Sequence, residues 1–379
     1  MIKTHKYLYA AASVVLSVMV SSCGLLPFGG GQKSDHYNPE MDQLLLVGTY
    51  TDSKSEGVYS FTYNPHSHHL QHKGTFITPN PTYMALDRRK AALYMVNETD
   101  KNAMVTSAAI DGQTGRLSAL NSSYTLGDGS AYIATVGHDQ VVTANYGGGS
   151  ITLFDADKKG MLGQPDWHIL LGDKGVSRPH ATVVSPDGKD LLVTDLGQDK
   201  VYHFYVNRSN PPLTIDLDNL SLPKGTGPRH LVFDEKGKYV YLIAEKKPVV
   251  YVYKHKGGAL EEVQKVELSL PAGTFGQHIA LSPDGHFLYT SHTDGRNVIT
   301  VFRVDAQTGR LNRVGEQKVG AKPRHFTFNP GATMLAVACR DADKVEFYDR
   351  DRTTGLLKPL TDLSIKVSRP AFVLWTTQL

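Results

Sequence analysis

One unit recurs seven times along this chain, and that period constrains the fold more than any other feature of the sequence. Pro81, Ser130, Pro179, Pro228, Gln277, Pro323 and Pro370 stand at corresponding places, 46 to 49 residues apart. This spacing lies in the range of propeller blades. Each of these anchor positions opens a short apolar strand, as at 180–184, 231–233 and 279–281, and a turn follows. The clearest turns are Ser185-Pro186-Asp187-Gly188 and Ser282-Pro283-Asp284-Gly285, where proline sets φ and glycine supplies the left-handed position. A second strand returns (191–194, 239–244, 287–291), rich in β-branched, aromatic and aliphatic residues. A third alternates (201–205, 249–253, 298–302), and turns such as Thr114-Gly115-Arg116-Leu117 and Thr308-Gly309-Arg310-Leu311 lead into a fourth.

Four antiparallel strands per unit make a blade whose two apolar faces only neighbouring blades can cover. The sequence therefore predicts an all-β fold, a seven-bladed β-propeller with four antiparallel strands per blade. No helical period of useful length occurs in the body, which excludes an α-solenoid of similar repeat length. The last unit supplies one strand, 370–375, whereas the residues before Pro81 supply three: 44–49, 58–63 and 70–77. A blade shared between the N- and C-termini then closes the ring, hides its edges and makes 43–379 one domain.

Residues 1–22 have the pattern of a lipoprotein signal peptide: Lys3 and Lys6, an apolar run over 8–20, then Val20-Ser21-Ser22-Cys23. The run is too short to span a bilayer. Cys23 is the expected lipidation site, with an ordinary signal peptide and an incidental cysteine as the alternative. Gly, Pro and polar residues over 23–42 suit a flexible tether. The expected location is extracytoplasmic, on a membrane-held bacterial lipoprotein facing the periplasm or the cell exterior. Cys339 sits in an apolar strand and is expected as a buried free thiol, so no intrachain disulfide is expected. A formal charge of +3 with no Lys/Arg run argues against nucleic acid as a partner.

In a propeller the first strand of each blade lines the channel. The residues that follow the anchors are Thr82, Ala131, His180, Arg229, His278, Arg324 and Ala371. Two arginines and two histidines on one ring are costly without an anionic partner, which points to an acidic ligand. Second strands end at the same rim with Glu98, Asn145, Asp195, Glu245 and His292. Arg229 and Arg324 suit a carboxylate or phosphate held bidentately, or a developing oxyanion. His180 suits a general base, and Glu245 suits either the orienter of that imidazole or the base itself. His278, Glu98, Asn145, Tyr146 and Asp195 are the expected substrate-binding set. A polar channel filled with ordered water is the competing structural reading.

Other patterns carry less. His66, His68, His69 and His72 cluster between two strands on an outer edge, where a solvated loop is the reading preferred over a metal site. Gly147-Gly148-Gly149 lacks the following helix N-terminus that a phosphate loop needs. No Gly-x-Ser-x-Gly elbow and no His-Glu-x-x-His helix occurs.

Gly48-Thr49-Tyr50-Thr51, Val96-Asn97-Glu98, the stretch Ala144 to Ser150, Arg178-Pro179-His180, Asp195-Leu196-Gly197, Gly227-Pro228-Arg229-His230 and Lys322-Pro323-Arg324 follow one another at blade spacing. In this order they resemble the lactonase family of seven-bladed propellers, which includes bacterial 6-phosphogluconolactonase and fungal carboxy-muconate cyclase. The resemblance implies a hydrolase of an acidic, phosphorylated or carboxylated sugar lactone; the channel ring could supply an activated water, an oxyanion stabiliser and a clamp for the acidic group without metal, and no cofactor is expected. From the cyclase branch it implies active residues at His180, Arg229, Glu245 and Arg324. A muconate-type lactonising cyclase and a non-catalytic carbohydrate- or protein-binding propeller are the alternatives. The expected partners are a small acidic lactone and, through Cys23, a membrane. The chain departs from the family pattern at His278, at Ser291-His292-Thr293 in place of Ser-Asn-Arg, and at Ala244-Glu245 in place of Asn-Glu.

Overall fold

Seven antiparallel sheets, six of four strands and one of five, stand around an axis in the computed structural model, which describes residues 41–173, 175–216 and 218–379. The signal segment 1–22, Cys23 and all but the last two residues of the tether lie outside the described residues. Blades are numbered here from Pro81. Their innermost strands are Met84–Asp87, Ser130–Val136, Pro179–Val184, Pro228–Phe233, Thr274–Leu281, Pro323–Phe328 and Pro370–Thr377. Blade 3 has five strands because two short segments, Leu213–Ile215 and Leu220–Ser221, share the outer edge of Lys200–Val206.

Apolar content follows position within a blade. Second strands such as Tyr239–Ala244 and Met334–Cys339 are buried at every residue, because a neighbouring blade covers each face. Outer strands such as Ala259–Glu267 alternate between half-buried and exposed. Leu231, Val240 and Leu242 of blade 4 pack on Leu192 and Val201 of blade 3, and Phe326, Leu335 and Val337 of blade 6 pack on Phe287 and Ile299 of blade 5. Each such side chain stabilises the fold by roughly 1.5–3 kcal/mol when fully buried. Cys339 belongs to this inter-blade core as a free, buried thiol.

Closure follows the expected shared blade. Pro370–Thr377 pairs antiparallel with Gln43–Thr49, in register from Gln43↔Thr377 to Thr49↔Pro370. Trp375 clasps this blade to blade 6, its ring 5.3 Å from Tyr63 and 5.7 Å from Phe347 in edge-on contacts. Arg88 of blade 1 donates to Thr376, Thr377 and the Gln378 carbonyl, tying the C-terminus to the next blade. Among the described residues the one helical element is a three-residue 3-10 turn, Arg340–Ala342, and no helix is long and apolar enough to cross a membrane.

Candidate active site

A β-bulge creates the ring of channel residues. In blades 2, 3, 4, 6 and 7 the pairing of first and second strand skips one residue directly after the anchor: Ala131, His180, Arg229, Arg324 and Ala371. An extra residue in one strand is left unpaired and its side chain is re-aimed. In blade 5 the pair before the skip is Gly276↔His292, matching Pro228↔Ala244 and Pro323↔Cys339. His278 N–H donates to Ser291 Oγ (3.0 Å), as Ala181 N–H donates to Thr194 Oγ1 in blade 3. Gln277 is therefore the ring residue of blade 5, and His278 stands one layer deeper. The expectation for His278 is corrected accordingly: its anchor is Gly276, where other blades carry proline or serine.

The rim needs the same correction of frame. The residue one past the anchor's partner sends its N–H to the carbonyl of the residue before the anchor: Glu98 to Asn80, Tyr146 to Gly129, Leu196 to Arg178, Glu245 to Gly227, Arg340 to Lys322 and Tyr50 to Arg369. Tyr50, Glu98, Tyr146, Glu245 and Arg340 thus share one level at the mouth. Asn145, Asp195 and His292 precede that level and turn into their own blades. Asn145 Oδ1 accepts from Ser130 and Thr143, while its Nδ2 donates to Ser150 and Thr152. Asp195 accepts from Ser177 Oγ, Gln198 Nε2 and the backbone N–H groups of Arg178, Gly197 and Gln198. Both are fully buried and spend their capacity holding strands together, so neither faces the channel as a ligand contact. His292 bonds to Thr290 Oγ1 inside blade 5.

The remaining predicted residues converge. Arg229 makes an ion pair with Glu245 and donates through Nε to the Gln277 carbonyl at 2.7 Å. Arg324 donates to Gln277 Oε1 (3.2 Å) and to the Tyr50 hydroxyl (2.9 Å). Tyr50 in turn donates to Glu98 Oε2 at 3.3 Å, and Thr82 Oγ1 donates to the same oxygen at 2.5 Å. His180 packs edge-on to Tyr146, with ring centroids 5.6 Å apart, and the Arg178 guanidinium lies over the same tyrosine ring at 5.7 Å. Side chains from blades 1 to 7 thus converge at the channel mouth.

A floor of rings lies one residue deeper along the inner strands. Tyr83, Phe372, His325, His278, His230 and Tyr132 touch in a closed circuit, with successive centroids 3.9 to 5.4 Å apart. His230 and His278 share a hydrogen bond between their Nδ1 atoms at 3.0 Å, so one ring donates and the other accepts. Ala181 is the small residue in this layer, and above it the His180 ring lies 5.1 Å from His230. These residues follow the ring residues by one position in every blade, a signal present in the repeat.

Charge at the site is asymmetric. Burial, then the fields of Arg229 and Arg324, push His180 well below the ordinary histidine range, so it is a neutral imidazole. Its Nδ1 is buried without a hydrogen-bond partner. Burial lowers Arg229 as well, against the pull of Glu245. Burial also opposes the charge on Arg324, but Tyr50, Glu98 and Glu245 outweigh it and its pKa is raised. Arg324 is thus a firmly charged guanidinium whose hydrogen-bond partners, a phenol and an amide, are neutral.

The other sequence patterns lie elsewhere. His68 bonds to Tyr63, and His72 packs on Phe61 and bonds to Thr75. Among the described residues no three His, Cys, Asp or Glu side chains are arranged to hold a metal ion. Gly147 to Gly149 form a turn pressed against Gly127, Asp128 and Ser177, with no space for a phosphate against its backbone.

Residues 44–375 match the family described as Lactonase, 7-bladed beta-propeller. A 6-phosphogluconolactonase of Bacillus subtilis is 29% identical over 349 residues, covering 88% of this chain and 98% of its own length. A Bacteroides fragilis structure described as a candidate 6-phosphogluconolactonase superposes with a TM-score of 0.85 at 34% identity, over 90% of this chain and all of that one. The periplasmic gluconolactonase PpgL of Pseudomonas aeruginosa superposes with a TM-score of 0.84 at 29% identity, over 89% of this chain and all of that one. With the bulged ring, the shared closing blade and the match across nearly the whole body, this chain belongs to the lactonase family of seven-bladed β-propellers.

Proposed function

We propose that this lactonase hydrolyses a lactone bearing an acidic group, of the 6-phosphogluconolactone type, in the chamber between His180, Arg229, Glu245 and Arg324. The observation that carries the reading is the pairing of a neutral imidazole whose Nδ1 has no hydrogen-bond partner with a guanidinium whose hydrogen bonds go to neutral groups. Arg324 is free to take an anionic oxygen of the substrate, whereas Arg229 already has Glu245.

The chemistry is ordinary ester hydrolysis. Water attacks the lactone carbonyl while His180 takes its proton. The carbonyl oxygen becomes an oxyanion facing the guanidinium pair, the ring C–O bond breaks, and the imidazolium returns the proton to the departing alkoxide. Burial, and with it the positive field of Arg229 and Arg324, keeps His180 neutral at rest; that field weakens as the oxyanion develops, so the base gains proton affinity when the transition state needs it. Glu245 and Gln277 hold Arg229, and Tyr50 and Gln277 hold Arg324, which fixes the donors before reaction. Guanidinium groups polarise the carbonyl and stabilise the oxyanion in this scheme, so no metal is required. The P. aeruginosa relative supports placing the chain outside the cytoplasm, and Cys23 is the proposed site of its lipid anchor.

Purified full-length protein is to be assayed on a lactone panel beside His180→Ala and Arg229→Ala. The expected result is turnover of an acidic lactone that falls roughly 10²- to 10⁴-fold when His180 is lost. No turnover, or turnover indifferent to both substitutions, sinks the enzyme reading. Labelling cells with a lipid precursor tests Cys23, and an unlabelled protein refutes the anchor.

A further inference from the structure

The seven blades differ in one place that folding does not explain. The residue just before the anchor has left-handed backbone in five of them: Asn80 (φ 41°), Gly129 (57°), Gly227 (60°), Lys322 (56°) and Arg369 (49°). Two blades meet this requirement with glycine and one with asparagine, the residues that adopt it with least strain. Blades 6 and 7 instead hold long cationic residues there. A left-handed position that sister units fill with glycine or asparagine, but that here carries a long cation, points to a side chain kept for what it does at that place.

Both cations stand at the mouth, beside two more. Arg324, Arg340 and Arg369 surround the Tyr50 ring with guanidinium carbons 5.8, 5.8 and 5.4 Å from its centroid. Lys322 accepts the Arg340 N–H on its carbonyl and so flanks the same sector. Each outer cation has an aspartate partner: Arg369 with Asp52 (2.7 Å), Arg340 with Asp341 (2.6 Å) and Lys322 with Asp294 (3.4 Å). Those aspartates are 50%, 46% and 43% exposed; the single-contact pairs of Arg369 and Lys322 are weak competitors for a multiply charged ligand, whereas Arg340 grips both oxygens of Asp341 through Nε and Nη2 and keeps its remaining donors for the ligand. A guanidinium in a single pair also keeps donors to spare.

We propose that Lys322, Arg340 and Arg369 form an outer anion subsite at the channel mouth, which binds the phosphoryl or distal carboxylate group of a lactone whose ring lies at Arg324. This rests on the lactonase reading and specifies its substrate class: a lactone with an oxyanion remote from its carbonyl. Tyr50 links the two levels, since its ring meets the outer arginines and its hydroxyl meets Arg324.

The test uses full-length protein, wild type and the triple variant Lys322→Gly, Arg340→Gln, Arg369→Gly, with Arg369→Lys as the charge-retaining control. Glycine relieves the left-handed positions, so the variant is expected to fold, and its urea midpoint checks this. Selectivity, as the ratio of kcat/KM for 6-phosphogluconolactone to that for gluconolactone, is expected to fall about tenfold or more in the triple variant, mostly through KM. In Arg369→Lys it is expected to stay close to wild type. Raising salt should lower the wild-type ratio in the same direction. An unchanged ratio in both the variant and high salt overturns the proposal. Should no lactone turn over, calorimetric binding of 6-phosphogluconate, glucarate and gluconate decides it. Preference for phosphogluconate marks a phosphoryl site and preference for glucarate a carboxylate site, each abolished in the variant. Equal binding of all three overturns the subsite.

Discussion

Acidification should unfold this protein by a route that its buried histidines set. His278 and His292 are each held to about 3 against an ordinary 6.5, in both cases chiefly by burial. A histidine depressed in the folded state binds its proton in the unfolded chain first, so its contribution is complete above pH 6.5 and is lost as pH falls toward 3. At pH 5 the deficit is about 1.5 units for each, or about 2 kcal/mol apiece and about 4 kcal/mol together at ~1.36 kcal/mol per unit. His180, His230 and His325 are shifted in the same direction by burial and add to this loss. His203 and His255 run the other way: Asp190 and their other hydrogen-bond partners raise them against burial. Their contribution is complete below pH 6.5 and lost as pH rises through their folded values, so between pH 7 and pH 5 it offsets only a small part of the acid loss. Urea unfolding at pH 7 and pH 5 measures the difference. Wild type is expected to lose at least about 4 kcal/mol, and His292→Asn, which keeps a polar group beside Thr290 but cannot titrate, about 2 kcal/mol less. Identical pH dependence in the two proteins would refute the neutral burial of His292.

Trp375→Ala removes the clasp between blades 6 and 7 and is expected to cost about 3–5 kcal/mol in the same assay. A near-neutral result would mean that the strand pairing alone closes the ring. Tyr50→Phe deletes the hydroxyl between Arg324 and Glu98 and should lower kcat/KM about tenfold with little change in urea midpoint, whereas unchanged kinetics would remove Tyr50 from the site. Asn145→Ala strips hydrogen bonds from the core of blade 2 and is expected to cost about 1–3 kcal/mol of stability. A shifted pH–rate profile without that loss would return Asn145 to the channel.

The fold was legible because a propeller repeats its physics. The same turn chemistry and the same apolar strands recur in each unit, and the shared blade follows from one strand after Pro370 and three before Pro81. The site was legible wherever the repeat could be kept in frame, which placed His180, Arg229 and Arg324 on one ring. It slipped in blade 5, where Gly276 stands in for proline. Counted from Gly276, the neighbouring intervals are 48 and 47 residues, and counted from Gln277 they are 49 and 46. At the rim the same slip put Asn145 and Asp195 in place of their outward neighbours. Tyr50 and Arg340 were missed for a related reason: each occupies the rim level next to a residue, Thr49 or Cys339, that only the strand register identifies as the anchor's partner.

A crystal structure of the full-length protein with 6-phosphogluconate, the hydrolysis product, tests the central claim most directly. The carboxylate formed from the lactone carbonyl is expected on Arg324 beside His180, with the product inside the ring-floored chamber. Product bound on an outer blade edge, or an empty chamber at saturating product, would contradict it.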